Sequence, residues 1–342
     1  MTIHEVDPFD DAAFDDWHAT YAAAERHGRG EWSSDWLLEE SRVQKQSRLK
    51  SRIVRLFSLV EEGTTRAVAE VEFPQMDNLE SAFLGVYTHP GHRNRGHGST
   101  LLSHLEELAR ENGRTVLTAE AAYPFTAPRD GAGHAYADFL TRRGFRFGIG
   151  DVQRALDLPL EGDLVAHLEA EAAPHHAAYS LVSFTGRVPD EFVTDYATLC
   201  ANLMTEAPTG AMELEPQTAD VTVFRATEES IEAQGRTRFA TVAVGPDGRL
   251  AGYTDLVTSV HDPGRSYQWG TLVWPEHRGH RLGMALKVRN AARLQQERPD
   301  IRVVRTWNAE ENDPMIAVND AMGFRPVERL GEFQKTASFV RA

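Results

Sequence analysis

Residues 89–102 read HPGHRNRGHGSTLL, and residues 274–287 read WPEHRGHRLGMALK. The first sets Arg93, Arg95 and three glycines between a proline and a pair of leucines, and the second is a worn copy of it. Each follows an apolar run, SAFLGVYT at 81–88 and SYQWGTLV at 266–273, and each leads into an amphipathic stretch. A strand, an Arg-x-x-Gly-x-Gly loop and a helix therefore form the recurring unit. In the first copy Leu101, Leu102, Leu105, Leu108 and Ala109 share one helical side, and Gly113 is a natural stop.

Working outward, the order of elements repeats as well. A helix carrying Phe14, Trp17 and Tyr21 on one face opens the chain, and a second helix is expected from Ser34 as its N-cap. Strands then precede the loop, and strand, helix and strand follow it. The second half runs through the same series, with a hairpin turned at Pro246-Asp247-Gly248. The loop arginines are offset by 278 − 93 = 185 residues and the two Gly-Phe pairs, Gly144-Phe145 and Gly323-Phe324, by 323 − 144 = 179. Two landmarks with nearly one offset mark a duplication. The expected domains are 1–158 and 159–342, divided near LPLEGDLVAHLEAEAAPHH. The fold class is α/β (α+β), each domain a mixed central sheet flanked by helices.

The loop carries the chemistry. Unpaired N–H groups at a helix N-terminus point outward, the helix dipole adds positive potential, and glycine lets a ligand approach the backbone. A diphosphate fits such a cradle, and an arginine can add a charged contact. The spacing matches neither GxxxxGK[ST] nor GxGxxG with a downstream acidic residue. A single basic, glycine-containing loop would be unremarkable. Two in the same strand–loop–helix context are not.

Composition narrows the partners. The net charge of −15 and pI near 5.4 argue against sequence-independent binding to nucleic acid or an anionic membrane. No apolar run is long enough to span a bilayer, and the N-terminus MTIHEVDPFDDAAFDDWH lacks a signal-peptide pattern. With Cys200 alone, in an apolar helical pattern, no intrachain disulfide can form. The cytoplasm is the expected compartment, and Cys200 is expected to be a buried spectator. His89, His92, His97 and His104 crowd one segment, but no cysteine or nearby carboxylate completes a ligand set, so no metal is expected.

These motifs resemble the GNAT superfamily of acetyl-CoA-dependent N-acetyltransferases. The resemblance rests on LGVYTHPGHRNRGHGSTLL with FLTRRGFR, and on GTLVWPEHRGHRLGMALK with NAEENDPMIAVNDAMGFRP, and it covers nearly the whole chain. The tandem arrangement is similar to that of mycothiol synthase and related two-domain acyltransferases. The resemblance implies acetyl-CoA as cosubstrate and a small-molecule amine as acceptor. It places the coenzyme on strand residues Val86 and Thr88 and loop residues Arg93, Asn94, Arg95, Gly96, His97 and Gly98 in the first copy. In the second it places it on Thr271, Val273, Arg278, Gly279, His280, Arg281 and Gly283, with Asn308 and Asn312 beside the pantetheine arm.

Both copies depart from the family pattern. Leu140 stands in the first, and Asn319 in the second, where the family's tyrosine acid protonates the leaving thiolate. Arg281 replaces the first loop glycine of the second copy, where it can crowd the cradle or supplement its charge. Asp255, Tyr267 and Glu72 are the candidate catalytic side chains, on strands beside the coenzyme. Analogy with the tandem relatives points to the C-terminal copy as the catalytic one. Two alternatives stand beside N-acetyl transfer: a non-catalytic acyl-CoA-binding protein, and a tandem GNAT-fold aminoacyl transferase, which the acidic charge disfavours. Monomer and homodimer remain equally open.

Overall fold

The computed structural model describes residues 1–336. The chain forms two compact units, and its path between them is not a simple succession. Of the described residues, unit 1 comprises 1–150, a short return at Gly210–Glu215, and 328–336; unit 2 comprises Asp151–Thr209 and Pro216–Val327.

Unit 1 opens with β1 (Thr2–Val6), α1 (Asp11–Arg26) and α2 (Leu38–Gln46), followed by β2 (Arg52–Glu61), β3 (Thr64–Pro74) and β4 (Ser81–Thr88). Then come α3 (His97–Glu111), β5 (Val116–Pro124), α4 (Ala135–Thr141) and β6 (Arg146–Asp157), within which the chain leaves for unit 2. Unit 2 holds α5 (Gly162–Ala172), β7 (Ser180–Thr185), α6 (Val193–Glu206), α7 (Val221–Ala233), β8 (Arg236–Val244), β9 (Leu250–Ser259) and β10 (Arg265–Val273). It continues through α8 (Leu282–Glu297), β11 (Val303–Ala309) and α9 (Asp313–Met322), and the chain returns to unit 1 within β12 (Arg325–Thr336).

In unit 1 the strand order is β1-β2-β3-β4-β5-β12, antiparallel except for β4 beside β5. In unit 2 it is β6-β11-β10-β9-β8-β7, antiparallel except for β10 beside β11. Each sheet is thus completed by a strand from the other half of the sequence: β12 pairs along β5 from Glu328 to Thr336, and β6 along β11 from Asp151 to Asp157.

Alternation along the strands supplies two cores per sheet. In unit 1, Phe57, Leu59, Ala69 and Val71 face Leu101, Leu102, Leu105 and Leu140. Leu56 and Val68, on the opposite face, meet Phe14, Trp17 and Tyr21 of α1. In unit 2, Leu156, Leu256 and Val304 face α5, α8 and α9, while Ala240, Val242 and Tyr253 face Tyr196 and Leu199 of α6. The turn at Pro246–Gly248 closes the β8–β9 hairpin as expected, with Gly245 N donating to Arg249 O at 2.8 Å. α2 begins at Leu38, later than the cap at Ser34 would set it; Ser34 instead accepts from Arg29, and residues 33–37 are not helical. Cys200 faces the α6 core, where desolvation, with the charge of Asp255 adding to it, pushes its thiol up to about 12. Among the described residues no helix is long and apolar enough to cross a membrane.

Candidate functional site

In each unit the one parallel strand pair comes apart. β4 pairs with β5 only from Ser81 to Phe83, after which β4 stays with β3 while β5 follows β12 to Pro124. β10 likewise pairs with β11 from Arg265 to Gln268, then keeps only β9 as far as Val273. The freed edges, Leu84–Thr88 and Gly270–Val273, have backbone groups with no strand opposite, and such groups demand partners. Val86 and Thr88 stand on the first edge, Thr271 and Val273 on the second.

Each freed edge runs into the repeated loop. In unit 1 the loop turns through Pro90–His92, and Arg93 leaves it with φ −68° and ψ 162°. Arg278 follows Pro275–His277 with φ −68° and ψ 163°. Both arginines brace the loop to the strand end: Arg93 Nε lies 3.4 Å from Thr88 O, and Arg278 Nε 3.2 Å from Val273 O. Each also ties the loop to a helix of its own unit, Arg93 to α1 through Ala24 O at 3.3 Å and Arg278 to α6 through Glu206 Oε2 at 2.8 Å. The ring of Tyr136 lies 5.1 Å from the Arg93 guanidinium.

The two loops also share a backbone rhythm. Asn94 (φ 61°) and Gly96 (φ 89°) are left-handed in unit 1, and Gly279 (φ 82°) and Arg281 (φ 51°) take the same places in unit 2. One of the two left-handed positions is a glycine in each loop, and it is not the same one. The left-handed conformation costs a residue with a Cβ about 1 kcal/mol, and Asn tolerates it best. Arg281 therefore preserves the cradle's shape, and its guanidinium turns aside to Glu171 at 2.6 Å. The first helical bonds are Thr100 N to Gly96 O and Ala285 N to Arg281 O. The N–H groups ahead of them form no bond within the helix and open at its N-terminus. Gly98 serves close approach: a Cβ there would lie 3.1 Å from Thr88 Oγ1 and 3.5 Å from the Phe139 ring.

The loop histidines are structural neighbours of this turn. His97 is buried, its Nδ1 3.1 Å from His92 O and its Nε2 3.6 Å from Glu61. His277 meets the Tyr179 hydroxyl at 3.0 Å, and His280 Nδ1 donates to His175 O at 3.1 Å. Arg95 is exposed.

Beside the cradles the two units differ. In the β3–β4 hairpin Glu70 stands opposite Gly85, and in the β9–β10 hairpin Asp255 stands opposite Gly270, both at an offset of 255 − 70 = 270 − 85 = 185. Glu70 accepts from the Tyr87 hydroxyl at 3.2 Å and pairs with Lys45. Desolvation holds the Tyr87 hydroxyl well above the usual phenol range, and the charges of Glu70, Glu25 and Glu120 add to it. Glu120, exposed on β5, lies two residues beyond the last β4–β5 pair. Nearby, Arg29 joins Glu25 (2.5 Å) to Glu328 (2.6 Å). Burial pushes the Glu25 carboxyl up, against the pull of Arg29.

In unit 2 the same ground is filled. Asp255 is buried, accepting from Gly270 N at 2.7 Å and Tyr196 Oη at 3.3 Å, with Arg238 Nε at 3.5 Å. Arg238 in turn holds Glu228 at 2.6 Å. A bulge between Gln268 and Gly270 breaks the hairpin register at this point. Tyr267 is buried against Trp307, stacked at 6.2 Å, and its hydroxyl donates to Asp262 at 2.9 Å. Glu72, in unit 1, pairs with Arg52 at 3.0 Å. Of the three catalytic candidates read from sequence, Asp255 and Tyr267 thus belong to unit 2 and Glu72 to unit 1, each with a polar partner of its own. Asn312 caps α9 by accepting from Met315 N at 3.3 Å, and Asn308 Oδ1 accepts from Asn319 Nδ2 at 3.0 Å.

Sequence reading passed over Glu70, Tyr87 and Glu120. The signal for Glu70 was present: the 185-residue offset that pairs the loop arginines also pairs Glu70 with Asp255.

Residues 14–129 match the acetyltransferase (GNAT) family. No curated protein matches the chain. Among solved structures, a tandem GNAT protein from the clavulanic acid biosynthesis pathway, described without AcCoA, is 26% identical over 99% of each chain, with a TM-score of 0.80. A GCN5-related N-acetyltransferase from Sphaerobacter thermophilus shares the fold at 16% identity, covering 100% of this chain and 97% of its own, with a TM-score of 0.65. The N-myristoyltransferase of Saccharomyces cerevisiae also shares the fold, at 12% identity over 98% of this chain and 80% of its own, with a TM-score of 0.58. Two copies of the splayed strand pair and its loop, a match of residues 14–129 to the acetyltransferase (GNAT) family and a whole-length likeness to a tandem GNAT protein together support a tandem GNAT-type acyltransferase.

Proposed function

We propose that the protein transfers an acetyl group from acetyl-CoA to the amine of a small molecule, and that unit 1 carries out the chemistry. The observation that carries this is the freed β4 edge running into a glycine-bearing helix N-terminus, with Glu120 at the mouth of the parting strands. The N–H groups at the start of α3 bind the coenzyme's diphosphate, and Val86 and Thr88 lend strand backbone to its pantetheine arm. Gly98 keeps the approach to the cradle open. Glu120 accepts the proton that the acceptor ammonium must lose before it attacks the thioester, while Glu70, already engaged by Tyr87 and Lys45, sets the local charge. The acidic face made by Glu25, Glu70 and Glu120 suits a cationic acceptor. The C-terminal copy, favoured by analogy from sequence, is the weaker candidate because Asp255 is buried and fully engaged. The cytoplasm is the proposed compartment.

The test is coenzyme A release with acetyl-CoA and a panel of small amines. Glu120→Gln is expected to lower kcat/KM by about 10²–10⁴-fold, the usual worth of a general base, with coenzyme A affinity retained in calorimetry. A second reading, coenzyme binding without turnover, draws on Leu140, which is buried in the core where a proton donor would stand. Tight acetyl-CoA binding with no release for any amine would establish that reading instead.

A further inference from the structure

Past Gln268 and Thr306, the last residues that β10 and β11 share, β11 runs on beside β6 alone. The next residue, Trp307, is half-buried at this parting, its ring stacked on Tyr267 at 6.2 Å with 14° between the planes. Directly across the ladder from Trp307, on the same face of the sheet, stands Gln153 of β6. Gln153 is wholly buried, and among the described residues neither its Nε2 nor its Oε1 has a hydrogen-bond partner. A carboxamide is both a strong donor and a strong acceptor, and native proteins rarely bury the two ends of one unmatched.

The corresponding place in unit 1 is built for charge. Counting from the first parallel pair of each unit, Ser81–Val116 and Arg265–Val303, Trp307 takes the place of Glu120, since 307 − 303 = 120 − 116 = 4. Across the ladder Gln153 takes the place of Glu332, which stands opposite Glu120. Two carboxylates are thus exchanged for an indole and a carboxamide. The charges that flank the pair oppose each other in sign: Arg305 lies two residues before Trp307 on β11, and Asp151 two residues before Gln153 on β6. An ion brought here would leave an unbalanced buried charge, whereas a neutral group leaves none. The carboxamide also dictates shape. Its N–H and C=O lie side by side, so the group that satisfies both must carry an acceptor and a donor on one edge. A primary amide or a lactam does so. A trans secondary amide, the kind in the pantetheine arm of coenzyme A, holds them on opposite sides and can meet only one.

We propose that Gln153 and Trp307 form a binding site in unit 2 for a neutral, planar molecule with a cis-amide edge, a primary carboxamide or a lactam, which is neither the coenzyme nor the amine acceptor. Gln153 Nε2 donates to the ligand's carbonyl, and Gln153 Oε1 accepts from the ligand's N–H. The ligand's flat body lies against the indole of Trp307, which offers an aromatic face at the parting of the strands.

Calorimetric titration of the full chain with benzamide, N-methylbenzamide and benzamidine tests it. Benzamide is expected to bind with a Kd of about 1 mM or below, and N-methylbenzamide, whose amide is trans, about fivefold or more weakly for the one hydrogen bond it forfeits. Gln153→Leu is expected to weaken benzamide by about tenfold or more, since both hydrogen bonds go. Gln153→Glu presents two acceptors and no donor, so its preference is expected to pass from benzamide to benzamidine, an exchange that a merely structural glutamine would not produce. Gln153→Leu removes an unmatched buried group and is expected to fold, which a thermal melt checks; Gln153→Met, closer in length, replaces it if it does not. Equal binding of benzamide and N-methylbenzamide overturns the proposal, as does benzamide binding that Gln153→Leu leaves unchanged or a benzamide preference that persists in Gln153→Glu. No binding of benzamide at all overturns it too, and leaves acetyl transfer, read separately by coenzyme A release, standing.

Discussion

Replacing Lys287, buried on α8, by leucine removes an amine that water barely reaches. Desolvation alone brings its pKa from the ordinary lysine value of 10.5 to about 7. Between those values the unfolded chain binds a proton that the folded chain does not, so stability falls as pH drops from about 10.5 to 7 and levels off below. Lys287→Leu is therefore expected to stabilise the protein most at or below pH 7, by a few kcal/mol, and to lose this advantage above pH 10.5. Urea unfolding at pH 7 and at pH 10 checks it; an equal gain at both would mean that packing, and not ionisation, sets the difference. The same scale shows what sequence could convey. Arg281 looks like a lost glycine, yet the backbone keeps the left-handed turn and lets Gly279 serve where unit 1 uses Asn94. A residue's identity reports its own preference, while the loop needs only the sum of several.

At the scale of elements, the two helix starts respond differently to the same change. Gly283 has nothing within 4 Å of an added Cβ, whereas at Gly98 the Thr88 hydroxyl stands 3.1 Å away. Gly283→Ala is expected to be stabilising by up to about 1 kcal/mol, because alanine loses less backbone freedom in a helix. Gly98→Ala has to displace Thr88 and is expected to weaken coenzyme A binding at the unit 1 cradle. Thermal melts and calorimetry on the two variants separate these outcomes, and equal effects would remove the distinction drawn between the cradles. The strand–loop–helix units were legible in the sequence because alternation, 3.6-residue periodicity and turn residues are local signals. The parting of β4 from β5 was not, since it depends on which strand each side follows next. Nor was the bulge at Gln268–Gly270, which re-aims the hairpin where Asp255 is buried.

For the whole molecule, the exchange of closing strands makes the halves of the sequence different from the halves of the fold. A fragment of residues 1–150 ends before β12 and leaves β5 without its partner from Val116 to Pro124. It is expected to be insoluble or to unfold non-cooperatively, because a long unpaired edge is also an aggregation template. Adding residues 325–342 through a flexible linker is expected to restore a cooperative transition. Circular dichroism melts of both fragments decide the point, and a cooperative transition without the strand would show that β12 is dispensable. No pattern within RPVERLGEFQKT announces which sheet it joins, because a strand's alternation specifies its faces and not its neighbours.

That exchange also orders events on the ribosome. The first 150 residues of unit 1 emerge early, but the strand that closes its sheet is synthesised last, after all of unit 2. At about 5–20 residues per second the nascent chain waits roughly 10–40 seconds with β5 uncovered. Unit 2, by contrast, has every strand of its own sheet as soon as β11 leaves the exit tunnel. The half of the protein that is translated first is thus the half that matures second, and slow codons or chaperone shortage late in the message would be felt at its beginning.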